Sequence, residues 1–249
     1  MNKKLQDRVA IVIGSTSGIG QAIAETFAQE GAKVVITGRR QEKGDAIVKE
    51  LEKQGLQTEF YQIDVTDPAQ CKALIEDTVK KHGGLDILVN NAGIAQAASM
   101  EELDLALWDA TYDTNIRSYF VLTKAALPHL VESAHGNILF TSSMAAIKPF
   151  DQQFSYGSTK AAVAHFMRML AVSYAPKGIR VNAIAPGVID TDILANAPDG
   201  YIQAIVDGIP MRRLGKPEEI AKLAVFLASD DASFITGQQI ACCGGSSIL

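Results

Sequence analysis

The chain carries Ser143, Tyr156 and Lys160, three residues whose types and order suit the movement of a proton beside a hydride. Tyr156 and Lys160 are four apart (160 − 156), so on a helix both side chains lie on one face, one turn apart. A phenol is a poor acid–base group near neutrality, with a reference pKa of about 10. A neighbouring ammonium favours the phenolate and lowers that value. Ser143 lies thirteen positions before the tyrosine (156 − 143), just after the apolar run Ile138–Phe140, and offers a hydroxyl that can hold a substrate oxygen. Together the three could interconvert an alcohol and a carbonyl. Alone they would decide little, because tyrosine and lysine at this spacing also occur on ordinary helices.

A second cluster lies near the start of the chain. Val9–Ile13 is a continuous apolar run, as expected of a strand buried on both faces. Gly14, Ser15, Thr16, Ser17, Gly18, Ile19 and Gly20 follow, and the stretch Gln21–Glu30 is helical in pattern. A strand, a glycine turn and a helix start bring backbone N–H groups and the positive end of a helix dipole to one point, which suits a pyrophosphate. The spacing is G-x-x-x-G-x-G rather than the G-x-G-x-x-G dinucleotide fingerprint. A tight βα connection without a ligand is the plainer alternative.

With both clusters in view, the chain resembles a short-chain dehydrogenase/reductase, nearly end to end. The resemblance is carried by Gly14, Gly18 and Gly20; Asp64-Val65; Asn90-Asn91-Ala92-Gly93; Asn115; Ser143; Tyr156 and Lys160; and Pro186-Gly187. The similarity extends to the carbonyl reductases of the bacterial 3-oxoacyl-carrier-protein reductase type. It implies that Tyr156 acts as general acid in ketone reduction, that Lys160 lowers the tyrosine pKa and holds the nicotinamide ribose, and that Ser143 positions the carbonyl oxygen. Ser142 is the neighbouring candidate, but the family's serine lies thirteen before the tyrosine. Asn115 matches a family asparagine that relays protons through water to the lysine. Asp64 and Val65 would contact the adenine, Asn91, Ala92 and Gly93 would lie against the cofactor, and Pro186, Gly187, Val188, Ile189 and Thr191 would line the nicotinamide. Ser143, Ala145, Gln153, Tyr156 and Gly187 would touch substrate. The segment Cys242-Cys243-Gly244-Gly245 departs from the family pattern, which places an aspartate before the paired glycines.

The end of the second predicted strand bears on which nicotinamide cofactor is used. An acid about twenty residues after the glycine turn would hold the ribose 2′-hydroxyl of NAD. Lys33–Thr37 is followed instead by Gly38, Arg39 and Arg40. A 2′-phosphate needs cationic, fork-shaped donors, which arginine supplies. The expected cofactor is therefore NADP(H) rather than NAD(H), with Arg39 as main contact and Arg40 as support. The plainer alternative is that both arginines begin a solvated helix. The family's other NADP signal, a basic residue before the middle glycine, is replaced by Ser17.

Composition narrows the function classes. The 249 residues are 47% hydrophobic and 20% charged, ordinary for one globular domain. A net charge of −5 argues against a nucleic-acid partner. No apolar run reaches membrane-span length, the start Met1–Arg8 is polar, and three cysteines make no disulfide framework, so a cytoplasmic setting is expected. The four histidines show no metal-ligand spacing.

Strands are expected at 8–13, 33–37, 58–63, 86–90, 136–142, 179–184 and 237–242. Helices are expected at 18–30, 40–54, 67–82, 102–132, 154–175 and 217–228, with a short one near 200–207. Alternation of this kind implies a single Rossmann-type, doubly wound parallel α/β sheet with helices on both faces. One catalytic domain would span 1–249, with a substrate loop at about 186–216. The family is usually tetrameric, and the stretches 102–132 and 154–175 carry apolar Phe120, Leu127, Phe166 and Leu170 suited to pairing or to core. Mostly apolar candidates around the pocket (Gln96, Ala145, Phe150, Gln153, Phe154, Val188, Ile189, Leu194) suit a neutral ketone or alcohol. Two other readings stay open: a 3-oxoacyl-carrier-protein reductase of fatty-acid synthesis, and a dinucleotide-binding sensor without turnover. Against the first, Pro128–Ser133 presents no basic docking patch.

Overall fold

The computed structural model describes residues 3–194 and 200–248. Seven strands, β1 (Val9–Val12), β2 (Lys33–Gly38), β3 (Thr58–Gln62), β4 (Ile87–Asn90), β5 (Asn137–Thr141), β6 (Arg180–Pro186) and β7 (Gln239–Cys242), form one sheet in the order β3-β2-β1-β4-β5-β6-β7. Every pairing is parallel. The central strand β1 pairs Ile11 with Val35 on one side and with Leu88 on the other. The strand order reverses between β1 and β4, which opens a crevice at their carboxyl ends.

Helices cover both faces, which is why the central strands read as unbroken apolar runs rather than alternating ones. On one face, Ala10 and Val12 of β1 join Phe27 and Ile23 of α1 (Gly18–Gln29) and Ile220 and Val225 of α8 (Pro217–Ala228). On the other, Val9 and Ile11 meet Leu74 of α3 (Pro68–His82), Tyr119 and Leu122 of α5 (Ser118–Glu132), and Val163 and Met167 of α6 (Phe154–Tyr174). The register thus sends alternate β1 residues into two separate cores.

Local chemistry sets the helix ends. Asp67 caps α3 by accepting from Ala69 and Gln70 N–H, Pro68 opens it, and Gly83 ends it at φ 82°. That is the usual asymmetry of a helix begun by a cap and a proline and closed by a left-handed glycine. α2 (Gln41–Glu52) carries Arg40 at its cap position, and α7 (Tyr201–Asp207) falls where the short helix is expected.

The single helix expected over 102–132 is divided. Asp104 caps α4 (Leu105–Tyr112) by accepting from Leu107 N–H at 2.7 Å. A π-helical turn, Asp113–Arg117, then links α4 to α5. A π turn inserts one residue without changing the apolar pattern on either side, so periodicity does not reveal it. Of the expected loop at 186–216, residues 195–199 lie outside those described.

Gly44, inside α2, faces the Phe60 ring so closely that an added Cβ would lie 2.1 Å from Cδ2. In an open helix interior, Gly→Ala stabilises by about 1 kcal/mol. Here overpacking, which costs about 1–3 kcal/mol, acts against it. Gly44→Ala is expected to lower Tm by a few degrees, and adding Phe60→Leu to recover it, as read by thermal unfolding.

Candidate active site

The glycine turn is tied to the end of β2 before any ligand is considered. Gly14 N–H donates to Thr37 Oγ1 at 3.0 Å, Ser15 N–H to Thr37 O at 2.9 Å, and Ser15 Oγ to Val12 O at 2.7 Å. Both polar groups of Ser15 are thereby turned into the fold. Gly14 sits at φ 71°, and a Cβ there would lie 2.8 Å from Ala92 Cα, so the β4 loop packs directly on the turn. Ser17 occupies the cap position of α1 without a side-chain cap bond, and the first turn of α1 has no acid. Uncapped N–H groups at a dipole's positive end are what a phosphate needs.

Asn91 joins this turn to β5. Its Nδ2 donates to Ile13 O at 3.2 Å and to Gly14 O at 3.0 Å, while its Oδ1 accepts from Thr141 Oγ1 at 3.0 Å. Lys160, on α6 and 2% exposed, donates from Nζ to Thr141 O at 2.8 Å. Gly93 leaves room between the groups that follow: a Cβ there would lie 3.3 Å from Asn115 Oδ1 and 3.5 Å from Lys160 Nζ.

Asn115 lies in the π turn and is fully buried. Its Oδ1 accepts from Ile94 N–H at 2.9 Å, and its Nδ2 donates to Ile94 O at 2.9 Å and to Thr159 Oγ1 at 3.2 Å. The side chain therefore locks the loop after β4 onto α6. Ser143 Oγ accepts from Ala145 N–H at 3.1 Å and is hydrogen-bonded to the Tyr156 phenol. Ser143, Tyr156, Lys160 and Asn115 are thus gathered at the carboxyl ends of β4 and β5, beside the glycine turn.

The electrostatics differ from the sequence expectation in one respect. Burial raises the Tyr156 pKa above the usual phenol value, and the Ser143 hydroxyl, not Lys160, is the group that pulls it back. Lys160 is itself so deeply buried that its pKa falls to about 7. An amine that has lost much of its charge stabilises a phenolate less than a solvated ammonium would.

Arg39 and Arg40 stand exposed just past β2. Gly38 packs on Thr16 of the turn, where a Cβ would lie 2.7 Å from Thr16 Cγ2, so Arg39 begins at the rim of the crevice. Asp64 is held by its own loop, its Oδ1 accepting from Thr66 N–H at 3.0 Å and from Thr66 Oγ1 at 2.8 Å, and Val65 packs on the α3 side of the core. Past β6, Ile189 bridges to Gly215 and is buried, Val188 is exposed, and Thr191 Cγ2 lies 3.2 Å from where a Gly18 Cβ would be. Gln153 pairs with Ala98 across the site's mouth. Thr37, Thr141 and Thr159 escape a reading of the sequence, since a threonine at a strand end or in a helix carries no distinguishing pattern.

A family model described as enoyl-(acyl carrier protein) reductase matches residues 13–247. The chain belongs to the short-chain dehydrogenase/reductase family. It is 38% identical to the 3-oxoacyl-[acyl-carrier-protein] reductase of Thermotoga maritima, over 97% of this chain and 98% of that one. It is 39% identical to a 2,5-dichloro-2,5-cyclohexadiene-1,4-diol dehydrogenase of Sphingobium indicum, over 100% and 99%. The crystal structure of gox2181 superposes with a TM-score of 0.94 at 32% identity, covering 99% of each chain. Membership makes the protein an oxidoreductase of alcohol and carbonyl groups that uses a nicotinamide dinucleotide. The fit is visible in the uncapped α1 start and the close glycine contacts beside it.

The lysine gives a pH signature. Unfolded, Lys160 titrates near 10.5; folded, near 7. Between those values the unfolded chain holds the proton that the folded chain has released, so this group makes stability rise with pH from about 7 to about 10.5, with no slope outside that window. The stability of the wild type relative to Lys160→Met, without cofactor, is expected to increase by a few kcal/mol across the window, as measured by denaturant unfolding at pH 6.5, 8 and 9.5.

Proposed function

We propose that the protein is an NADP(H)-dependent carbonyl reductase and secondary-alcohol dehydrogenase acting on a neutral substrate. The observation that carries this reading is the convergence of Ser143, Tyr156, Lys160 and Asn115 at the crevice beside the glycine turn. The cofactor supplies the hydride; the chain orients the reactants and handles the proton. Tyr156, kept protonated at neutral pH by burial, is the acid that gives its proton to the carbonyl oxygen. Ser143 fixes that oxygen beside the phenol by turning its hydroxyl proton from Tyr156 to the substrate, while its own oxygen keeps the bond from Ala145 N–H. Lys160, titrating near neutrality, is suited to return a proton to the tyrosine. Asn115 keeps the loop carrying Gly93 and Ile94 in place against α6. A non-catalytic sensor would have no need of this complete set.

Two exposed arginines and no acid follow β2, which supports NADP(H) over NAD(H). The segment between Ser143 and Tyr156 exposes Ile147, Phe150 and Phe154, and the segment after β6 exposes Val188 and Met211. An apolar rim of this kind favours an uncharged ketone or secondary alcohol of moderate size. The Thermotoga maritima relative supports a second reading, reduction of 3-oxoacyl groups on a carrier protein. We place the protein in the cytoplasm as a homotetramer, paired through α5 and α6, whose surfaces expose Phe120, Met169 and Val172.

Arg39→Asp is expected to cut kcat/KM for NADPH by about 10- to 100-fold, the scale of lost charge-assisted bonds, and to spare or improve NADH. Initial rates with both cofactors on a simple aryl ketone and on an acetoacetyl thioester check this and separate the two substrate readings. Tyr156→Phe is expected to lower kcat by at least about 100-fold while leaving the NADPH Kd within about twofold, measured by turnover and by fluorescence titration.

A further inference from the structure

We propose that Thr141 is a positioning residue that couples the phosphate-binding turn to Lys160, so that one strand end sets both cofactor affinity and the placement of the catalytic amine. The inference rests on the glycine turn as the dinucleotide site, not on the choice of NADP(H) or on the substrate.

Thr141 is the last residue of β5 and engages two partners through two oxygens. Its hydroxyl donates to Asn91 Oδ1 at 3.0 Å, and its carbonyl accepts from Lys160 Nζ at 2.8 Å. An asparagine amide has one acceptor oxygen and two N–H donors. The Asn91 donors face Ile13 O at 3.2 Å and Gly14 O at 3.0 Å. If the amide were flipped, its oxygen would face those two carbonyls, with no proton between them. A hydroxyl donor at Thr141 is the group that holds the amide in the correct sense.

The turn has no slack to absorb a misplaced Asn91. A Cβ on Gly14 would lie 2.8 Å from Ala92 Cα, and one on Gly20 would lie 2.4 Å from Asn91 Nδ2. Displacement of Asn91 is therefore passed to the N–H groups at the start of α1. Lys160 is 2% exposed, and Thr141 O is the acceptor its Nζ reaches. The β5 end is anchored beyond Thr141 by Ser142 N–H, which donates to Ile184 O at 2.8 Å. The threonine is thus a hinge pin between two sites rather than a member of either.

The test uses the full chain with Thr141→Val, which keeps the shape and the carbonyl but removes the donor, and Thr141→Ser, which restores it. Binding of NADPH and of NADH is read from nicotinamide fluorescence without carbonyl substrate, together with Tm without cofactor. Thr141→Val is expected to weaken both cofactors by about five- to tenfold, the scale of one buried hydrogen bond. Thr141→Ser should recover to within about twofold. At saturating cofactor, kcat of Thr141→Val should stay several-fold low, because without the hydroxyl bond to Asn91 the strand end shifts, and the carbonyl that accepts from Lys160 shifts with it. In a double-mutant cycle the losses from Thr141→Val and Asn91→Ala should be non-additive. Wild-type Kd in Thr141→Val, additive losses, failure of serine to rescue, or normal kcat at saturation would each overturn the coupling. If Thr141→Val does not fold, the comparison of Thr141→Ser with Thr141→Ala carries the same test. A chain that bound neither cofactor would instead defeat the dinucleotide site itself.

Discussion

A primary amine held out of water is the constraint on which the rest of this site depends. Lys160 sits on the inner face of α6, among the apolar Val163, Met167 and the strand residues of the second core. A charged ammonium there would be costly without partners, and the protein responds in two ways. It gives Nζ the Thr141 carbonyl as acceptor, and it lets the proton leave near neutrality. Both depend on the height of α6 above the sheet. That height is fixed from the far side by Asn115, whose amide reaches Thr159 on α6 and Ile94 after β4. The π turn is what aims Asn115 inward. A regular helix through Asp113–Arg117 would rotate that side chain by part of a turn and release the lock.

The same economy governs the glycine turn. A parallel sheet leaves its useful groups at the carboxyl ends of strands, where neighbouring connections crowd together. Crowding here is resolved by omission of side chains: Gly14 against Ala92, Gly20 against the Gly14 carbonyl and Asn91, Gly38 against Thr16. Hydrogen bonds from Ser15 and Thr37 then hold the turn without using the α1 N–H groups that a phosphate would take. Ser15 in the turn and Thr37 on β2 thus serve the scaffold, while the start of α1 carries no side-chain cap bond.

How much of this could be read beforehand follows from what each feature looks like in one dimension. The seven strands were legible because both sheet faces are covered, which makes Val9–Ile13 or Ile138–Phe140 continuously apolar. That Tyr156 and Lys160 share one helix was legible from their spacing, and the turn after β1 from its glycines. The division of the 102–132 helix was not, because apolar residues continue through it, from Leu107 before the π turn through Ile116 within it to Tyr119 after it. Nor were the contacts that run through main-chain oxygens, since Thr141 O, Ile94 O and Gly14 O belong to residues whose side chains say nothing of them. The Tyr156 pKa was misread for a related reason. Spacing shows that an amine is near, but it does not show that the amine is itself desolvated.

The terminal cysteines illustrate how a departure from the family pattern can leave the chemistry in place. An aspartate usually stands where Cys243 does, before Gly244 and Gly245. Those glycines keep left-handed φ values of 61° and 91°. Burial acts to raise the Cys243 thiol pKa, but the Ser247 hydroxyl, 3.4 Å from the sulfur, and the N–H groups of Ser247, Gly245 and Ser246 together hold it below the usual thiol value. The concavity that would suit a carboxylate therefore suits a thiolate. The connection to the site, however, does not pass through that side chain. Gly187 N–H donates to Cys242 O at 3.0 Å, and Met211 N–H donates to Gly244 O at 3.1 Å. Main-chain bonds thus set the register of this segment against the end of β6. The main-chain bonds at Cys242 and Gly244 are made by groups that the side chain at 243 does not supply.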